Sequence, residues 1–116
     1  MNASIKRAVA AVMLVPALAH AEFWTGNDLL AHIKSTEATQ RVQAVGYVMG
    51  VFDATGSIAH CGNSLSSITS GQVRDVARQY LEQNPGTRDI VADVLLRAAF
   101  GATWPCPEKK KKGTGV

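Results

Sequence analysis

The chain has 116 residues and a formal net charge of +3, and its charges are unevenly distributed. Basic residues are concentrated at the two ends, so residues 22–107 hold 6 basic and 8 acidic side chains. A nucleic-acid-binding domain carries its positive charge on the folded part, and this distribution excludes that class. The length allows one small domain. We expect residues 108–116 to be a disordered, solvated basic tail, with contact to anionic envelope polymers as the alternative.

The first 21 residues have the pattern of a cleavable signal peptide. Lys6 and Arg7 precede the apolar run Ala8–Leu18, and Ala19-His20-Ala21 is a small-x-small cleavage motif. The run is short for a membrane-spanning helix, which needs about 20 residues; the alternatives are an uncleaved anchor or a buried helix. We predict cleavage before Glu22 and export to the periplasm, without stable membrane insertion.

Two helices are predicted in the first half of the remaining chain. Asn27 is a suitable N-cap for a short first helix with Leu29, Leu30 and Ile33 on one face. A longer central helix runs from about Ala38 to Thr55-Gly56. Its apolar residues at helical spacing, which we expect to face the core, are Val42, Val45, Met49 and Phe52.

A loop and two further helices follow. Residues 56–68 are rich in Gly, Ser and Asn, which favours a loop. Thr69 and Gln72 form a capping box that begins a third helix, which Asn84-Pro85 ends. Thr87 is the expected cap of the fourth helix. The residues predicted to face the core from the fourth helix are Ile90, Val91, Val94, Leu95 and Ala98. No segment alternates long enough to predict a strand, so residues 22–107 are predicted to form an all-α, four-helix domain.

Cys61 and Cys106 are the two cysteines, and they permit a single intramolecular pairing. In an oxidising compartment an even number of cysteines favours a disulfide. The alternative is a reactive Cys61 thiol beside His60, but no third group is evident to orient that histidine.

No metal, cofactor or catalytic site is predicted, and the chain is expected not to be an enzyme. The histidines and cysteines do not supply the three or four convergent ligands of a zinc site. Asp53 lies within the apolar central helix, where we expect a structural hydrogen bond rather than general-acid chemistry. Gly46 and Gly50 lie one turn apart, which predicts either a close helix crossing in the core or a dimerisation face.

Several short motifs in order resemble the type VI secretion amidase immunity family, the Rap/Tai immunity domain. They are Phe23-x-x-Gly26-x-x-Leu29-Leu30, Gly46-Tyr47-Val48-x-Gly50-Val51-x-Asp53-Ala54, Cys61, Thr69-x-Gly71-Gln72, Tyr80-Leu81, Pro85 and Trp104-Pro105-Cys106. The chain departs from the family pattern in one respect. Many relatives have a second cysteine pair, and the aligned positions here are Ile33 and Val45.

The resemblance implies a periplasmic helical protein, commonly a homodimer, that occludes the Cys-His cleft of a peptidoglycan amidase effector protein. A loop can enter a narrow cleft, and we expect His60, Asn63, Ser64 and Leu65 to form the inhibitory contact; the alternative is a surface loop that only carries Cys61. The rival function is that of a periplasmic acid-stress chaperone of the HdeA type, or another envelope binding protein.

Overall fold

The computed structural model describes residues 23–108 and contains four α-helices. Their bounds are α1 Gly26–Ile33, α2 Ala38–Thr55, α3 Ser70–Gln83 and α4 Ala92–Thr103. Single turns of 3-10 helix, Gly62–Ser64 and Pro85–Thr87, lie in the connections before α3 and α4. The predicted all-α, four-helix fold is confirmed. The predicted signal peptide and the lysine run of the tail lie outside the described residues.

Capping boxes begin α1 and α3. At α3 the Gln72 amide donates to Thr69 Oγ1 at 3.1 Å and the Thr69 amide donates to Gln72 Oε1 at 2.7 Å, as predicted. At α1 the pair is Thr25 and Asp28, with the Asp28 amide 3.2 Å from Thr25 Oγ1. The prediction that Asn27 caps α1 is therefore wrong, because the Thr25 hydroxyl already accepts from the first turn.

The start of α4 also differs from its prediction. Thr87 lies in a 3-10 turn, and α4 begins at Ala92. The backbone just before α4 pairs with the N-terminal segment: the Gly26 amide donates to the Ile90 carbonyl at 2.9 Å, and the Ala92 amide donates to the Trp24 carbonyl at 2.8 Å. These long-range hydrogen bonds prevent an earlier helix start.

All four helices contribute to one core and each packs against the other three. The buried apolar side chains are Leu29, Ile33, Ala44, Val48, Phe52, Val73, Ala77, Leu81, Ala92, Leu95, Leu96, Ala99 and Phe100. Two predicted faces are corrected. The buried face of α2 follows Ala44, Val48 and Phe52, and Val42 is 69% exposed. Ile90 and Val91 precede α4 and are exposed, and within α4 the buried face is Leu95, Leu96, Ala99 and Phe100, which leaves Val94 and Ala98 exposed.

A disulfide joins Cys61 to Cys106, as predicted, so the reactive-thiol alternative is wrong. Beside it, the Cys61 amide donates to the Trp104 carbonyl at 2.8 Å. A side chain at Gly101 would come within 2.9 Å of the Ala59 carbonyl oxygen, so the loop backbone packs directly on α4. The loop after α2 is consequently fixed to the end of the last helix.

Candidate partner-binding surface

His60 is the fully buried polar side chain at the base of the loop formed by residues 56–68. Its Nδ1 accepts the Gly62 amide at 3.0 Å, and its Nε2 lies 2.9 Å from the Phe52 carbonyl oxygen. A backbone amide can only donate and a carbonyl can only accept, so the ring is neutral with its proton on Nε2. Both ring nitrogens are satisfied within the protein. The prediction that His60 contacts a partner is therefore wrong.

Aromatic rings enclose the His60 ring. Phe52 stacks on it with 4.5 Å between centroids, Phe100 meets it edge-on at 5.4 Å, and Trp104 lies at 6.5 Å. Gly62 completes this enclosure, because a Cβ there would lie 3.0 Å from both Phe52 and Trp104. The base of the loop is therefore part of the hydrophobic core.

The outer surface of the loop is formed by Ile58, Asn63, Ser64 and Leu65. All four are exposed, with Ile58 at 83% and Leu65 at 50%. Exposing isoleucine or leucine brings no stability to the isolated chain. The sequence analysis missed Ile58, although an isoleucine within a Gly/Ser-rich segment is a signal that could have identified it.

Hydrogen bonds fix the turn that carries Ile58. The Ile58 and Ala59 amides donate to the Thr55 carbonyl at 3.1 and 2.8 Å, and the Ser57 amide donates to the His60 carbonyl at 2.7 Å. Ser57 adopts the left-handed conformation with φ of 68°, which is uncommon for a residue with a side chain. The turn presents Ile58 in a defined position.

Asn63 and Ser64 stabilise the next turn. The Asn63 amide group covers Gly56 so closely that a Cβ on Gly56 would collide with it. The Ser64 hydroxyl donates to the Cys61 carbonyl at 2.8 Å. Together with the disulfide, these contacts hold the exposed loop at residues 56–68 in a defined conformation.

Gly46 and Gly50 lie on an exposed face of α2. Apart from its chain neighbours and the backbone of α2 itself, a Cβ added at either glycine would meet no atom of residues 23–108 within 4 Å. The alternative of a helix crossing within the core is therefore wrong, and the backbone there is open to another molecule. The dimerisation face stays a prediction.

The remaining candidates for chemistry have surface positions. Asp53 is exposed, so the expected buried structural hydrogen bond is wrong. Among residues 23–108, no three His, Cys, Asp or Glu side chains are grouped as a metal site would require. Within the same residues, no helix is both long and apolar enough to cross a membrane. The exposed loop at residues 56–68 is therefore our candidate partner-binding surface.

Comparison with known proteins assigns the family. A family model described as Rap1a immunity proteins matches residues 25–106, a range that begins at the Thr25 cap and ends at Cys106. No curated protein matches the chain. The match includes all four helices and both cysteines. The chain therefore belongs to the Rap1a immunity protein family.

Proposed function

We propose that this immunity protein binds and inhibits a peptidoglycan amidase effector delivered by a type VI secretion system. Membership of the family supports an immunity role exercised through binding a cognate effector, rather than the chaperone role. The observation that carries the amidase proposal is the loop at residues 56–68, which is held by its own hydrogen bonds and the disulfide and exposes Ile58 and Leu65. A cysteine amidase hydrolyses its substrate in a cleft, and a loop held in a defined conformation can occlude that cleft.

The contacts at the base of this loop favour tight binding. Ordering a flexible loop at an interface opposes association, and a preformed loop avoids most of that cost. His60, the disulfide and the Thr55–His60 turn already hold this backbone in place. Ile58, Asn63, Ser64 and Leu65 are consequently our proposed contact residues.

We place this inhibition in the periplasm, after removal of residues 1–21. The disulfide supports an oxidising compartment, since cytosolic thiols are kept reduced. Mass spectrometry of the exported protein should show a chain beginning at Glu22. A retained leader would contradict the predicted processing.

The function is tested by producing the exported protein together with a small cysteine amidase from the same gene neighbourhood and scoring lysis. The wild-type protein should prevent lysis and should inhibit peptidoglycan hydrolysis by the purified amidase. Ile58→Asp with Leu65→Asp should abolish protection, because two carboxylates would replace the apolar contact. A second variant, with Gly-Ser-Gly in place of Asn63-Ser64-Leu65, should also fail while its helical circular dichroism is unchanged.

Val94→Asp is the matched control, since Val94 is 45% exposed but lies on α4. It should protect as well as the wild-type protein. If both folded loop variants still protect, residues 56–68 are not the inhibitory element. If the wild-type protein neither binds nor inhibits the amidase, the proposed target is wrong.

A further inference from the structure

A groove lies between α2 and α3. It consists of two adjoining depressions, of about 220 and 490 Å³, that share Arg41, Val45 and Arg74. The smaller depression extends to Ile33, Asp75 and Arg78, and the larger one extends along α2 past Val42 to Gly46. Their size is sufficient for a large apolar side chain and the groups beside it.

The larger depression is lined mainly by apolar groups. Val42 is 69% exposed, and Val45 is partly buried beside it. Gly46 has no side chain, and outside the backbone of α2 no atom of residues 23–108 lies within 4 Å of its Cβ position, so that end of the groove is open. An apolar side chain inserted here would remove Val42 and Val45 from water.

The rim of the groove is positively charged. Arg41, Arg74 and Arg78 are three of the 6 basic residues within 23–108, a region that also has 8 acidic residues. Arg74 already pairs with Asp75 at 3.0 Å. Within the described part of the chain, the ion pairs do not include Arg41 or Arg78. The groove therefore has an excess of positive charge on a domain whose balance is acidic.

We infer that this groove binds an acidic segment of the effector protein, with one apolar side chain between carboxylates. This inference rests on the proposed function and adds a second contact surface to the loop. The apolar side chain would lie against Val42 and Val45, and the flanking carboxylates would accept hydrogen bonds from Arg41 and Arg78. Guanidinium groups suit this role because they bind carboxylates in a bidentate manner.

A second copy of the chain is a poorer occupant. In a twofold-symmetric interface each patch faces itself, so two grooves placed together would bring Arg41, Arg74 and Arg78 against the same three arginines. Like charges oppose such pairing. A dimer formed through Gly46 and Gly50 would meet the groove at its Gly46 end, since Gly50 does not line it.

The charge preference can be tested on the exported protein with a synthetic peptide, acetyl-Glu-Asp-Leu-Glu-Asp-amide. Nuclear magnetic resonance titration should show shifts at the side chains of Arg41 and Arg78 and at the amides of Val42 and Val45. The neutral peptide acetyl-Gln-Asn-Leu-Gln-Asn-amide should bind about tenfold more weakly, and added salt should reduce the difference. Equal binding of both peptides, or shifts confined to other surfaces, would overturn the inference.

Charge-neutralising variants locate the site. The groove variant, Arg41→Gln with Arg78→Gln, should bind the acidic peptide about tenfold more weakly than the wild-type protein does. Two controls should leave binding of the acidic peptide unchanged. Arg97→Gln removes one positive charge from α4. Arg88→Gln with Arg97→Gln removes two positive charges, as many as the groove variant loses. Loss of peptide binding in these controls, or its retention in the groove variant, would reject the groove. Self-association abolished by the groove variant would identify a second copy as the occupant and overturn the inference.

A parallel measurement uses the amidase itself. If it binds the wild-type protein, the groove variant should associate more slowly and with less dependence on salt, because steering between opposite charges acts mainly on the association rate. An unchanged rate would overturn the inference while leaving inhibition by the loop intact. If the amidase does not bind the wild-type protein but the peptide results hold, the proposed function fails, and with it the assignment of the groove to that effector.

Discussion

His60 illustrates how a polar residue can belong to the core of a small domain. Its ring connects the Phe52 carbonyl at the end of α2 with the Gly62 amide in the loop. Around those hydrogen bonds the ring is packed by aromatic side chains. Its neighbour Cys61 adds a covalent link to the same region. The position of the loop is thus determined by two adjacent residues acting in different ways.

We expect His60→Phe to reduce the free energy of unfolding by about 3 kcal/mol, because the Phe52 carbonyl and the Gly62 amide would lose their partners while buried. Urea unfolding followed by circular dichroism measures the loss. His32→Phe is the control, since His32 is partly exposed and makes one hydrogen bond, to the Asp28 carbonyl at 2.9 Å. Comparable losses in the two variants would contradict the structural role of His60.

Tyr47 gives a prediction at alkaline pH. Burial raises the pKa of Tyr47 above its ordinary value of 10.0; the negative charge of Asp93 also raises this pKa, and a hydrogen bond with the Asp93 backbone lowers it. Because the folded pKa is raised, the unfolded chain ionises first as the pH rises. Stability from this group is therefore complete below pH 10.0 and is lost as the pH rises through the folded pKa.

The expected result is that Tyr47→Phe reduces the alkaline loss of stability, measured as the free energy of unfolding against pH. Tyr80→Phe is the control and should retain that loss. Phenolate absorbance should show the Tyr47 pKa moving toward its ordinary value in Asp93→Asn. An alkaline profile identical in the wild-type and Tyr47→Phe proteins would refute this account.

At the scale of elements, helix boundaries set by neighbouring residues were predicted well, and boundaries set by residues distant in the chain were missed. The Thr69–Gln72 capping box lies within four consecutive residues, so the sequence was sufficient to place the start of α3. The start of α4 depends on hydrogen bonds from Trp24 and Gly26, more than sixty residues away in the chain. Spacing along the fourth helix could not reveal that constraint.

The buried face of α2 shows a second limit of sequence patterns. Apolar residues occur on more than one side of this helix, so Val42-Val45-Met49-Phe52 and Ala44-Val48-Phe52 both have helical spacing. Packing against the other three helices selects the second set. For the same reason, the sequence did not reveal that Val42 and Val45 line an exposed groove. His60 lies in a polar segment, where no local pattern indicates burial.

The disulfide that joins the loop to the end of α4 should contribute about 4 kcal/mol on the chain-entropy model for its sequence separation of 45 residues. Cys61→Ser and Cys106→Ser should each reduce the free energy of unfolding by about that amount. The double variant should lose no more than either single variant, because all three lack the same bridge. Urea unfolding tests this, and additive losses, or two titratable thiols in the native protein, would contradict it.

For the whole molecule, the open face at Gly46 and Gly50 bears on self-association. A glycine inside an exposed helix costs about 1 kcal/mol relative to alanine, and no contact within the described chain requires either residue. The family resemblance implies a homodimer, and close approach of a second backbone would explain both glycines. We expect the exported protein to sediment at micromolar concentration with about twice the mass of the mature chain.

Gly46→Leu with Gly50→Leu should convert that dimer to a monomer without loss of helical content, since leucine is a good helix former. Gly71→Leu is the control, as Gly71 lies on α3 with only ordinary contacts around its Cβ position. It should leave the sedimentation unchanged. A monomeric wild-type protein would remove the dimer and leave inhibition by the loop unaffected.

Contacts at both ends of α4 bear on when the chain can reach its native state. The beginning of α4 is held by the Trp24–Gly26 segment, and the residues after its end are held by Cys61. Both sets of contacts join α4 to residues that precede it in the chain. During synthesis or export, α4 emerges after α1, α2 and α3. We therefore expect the native state to form only after nearly the whole domain has emerged.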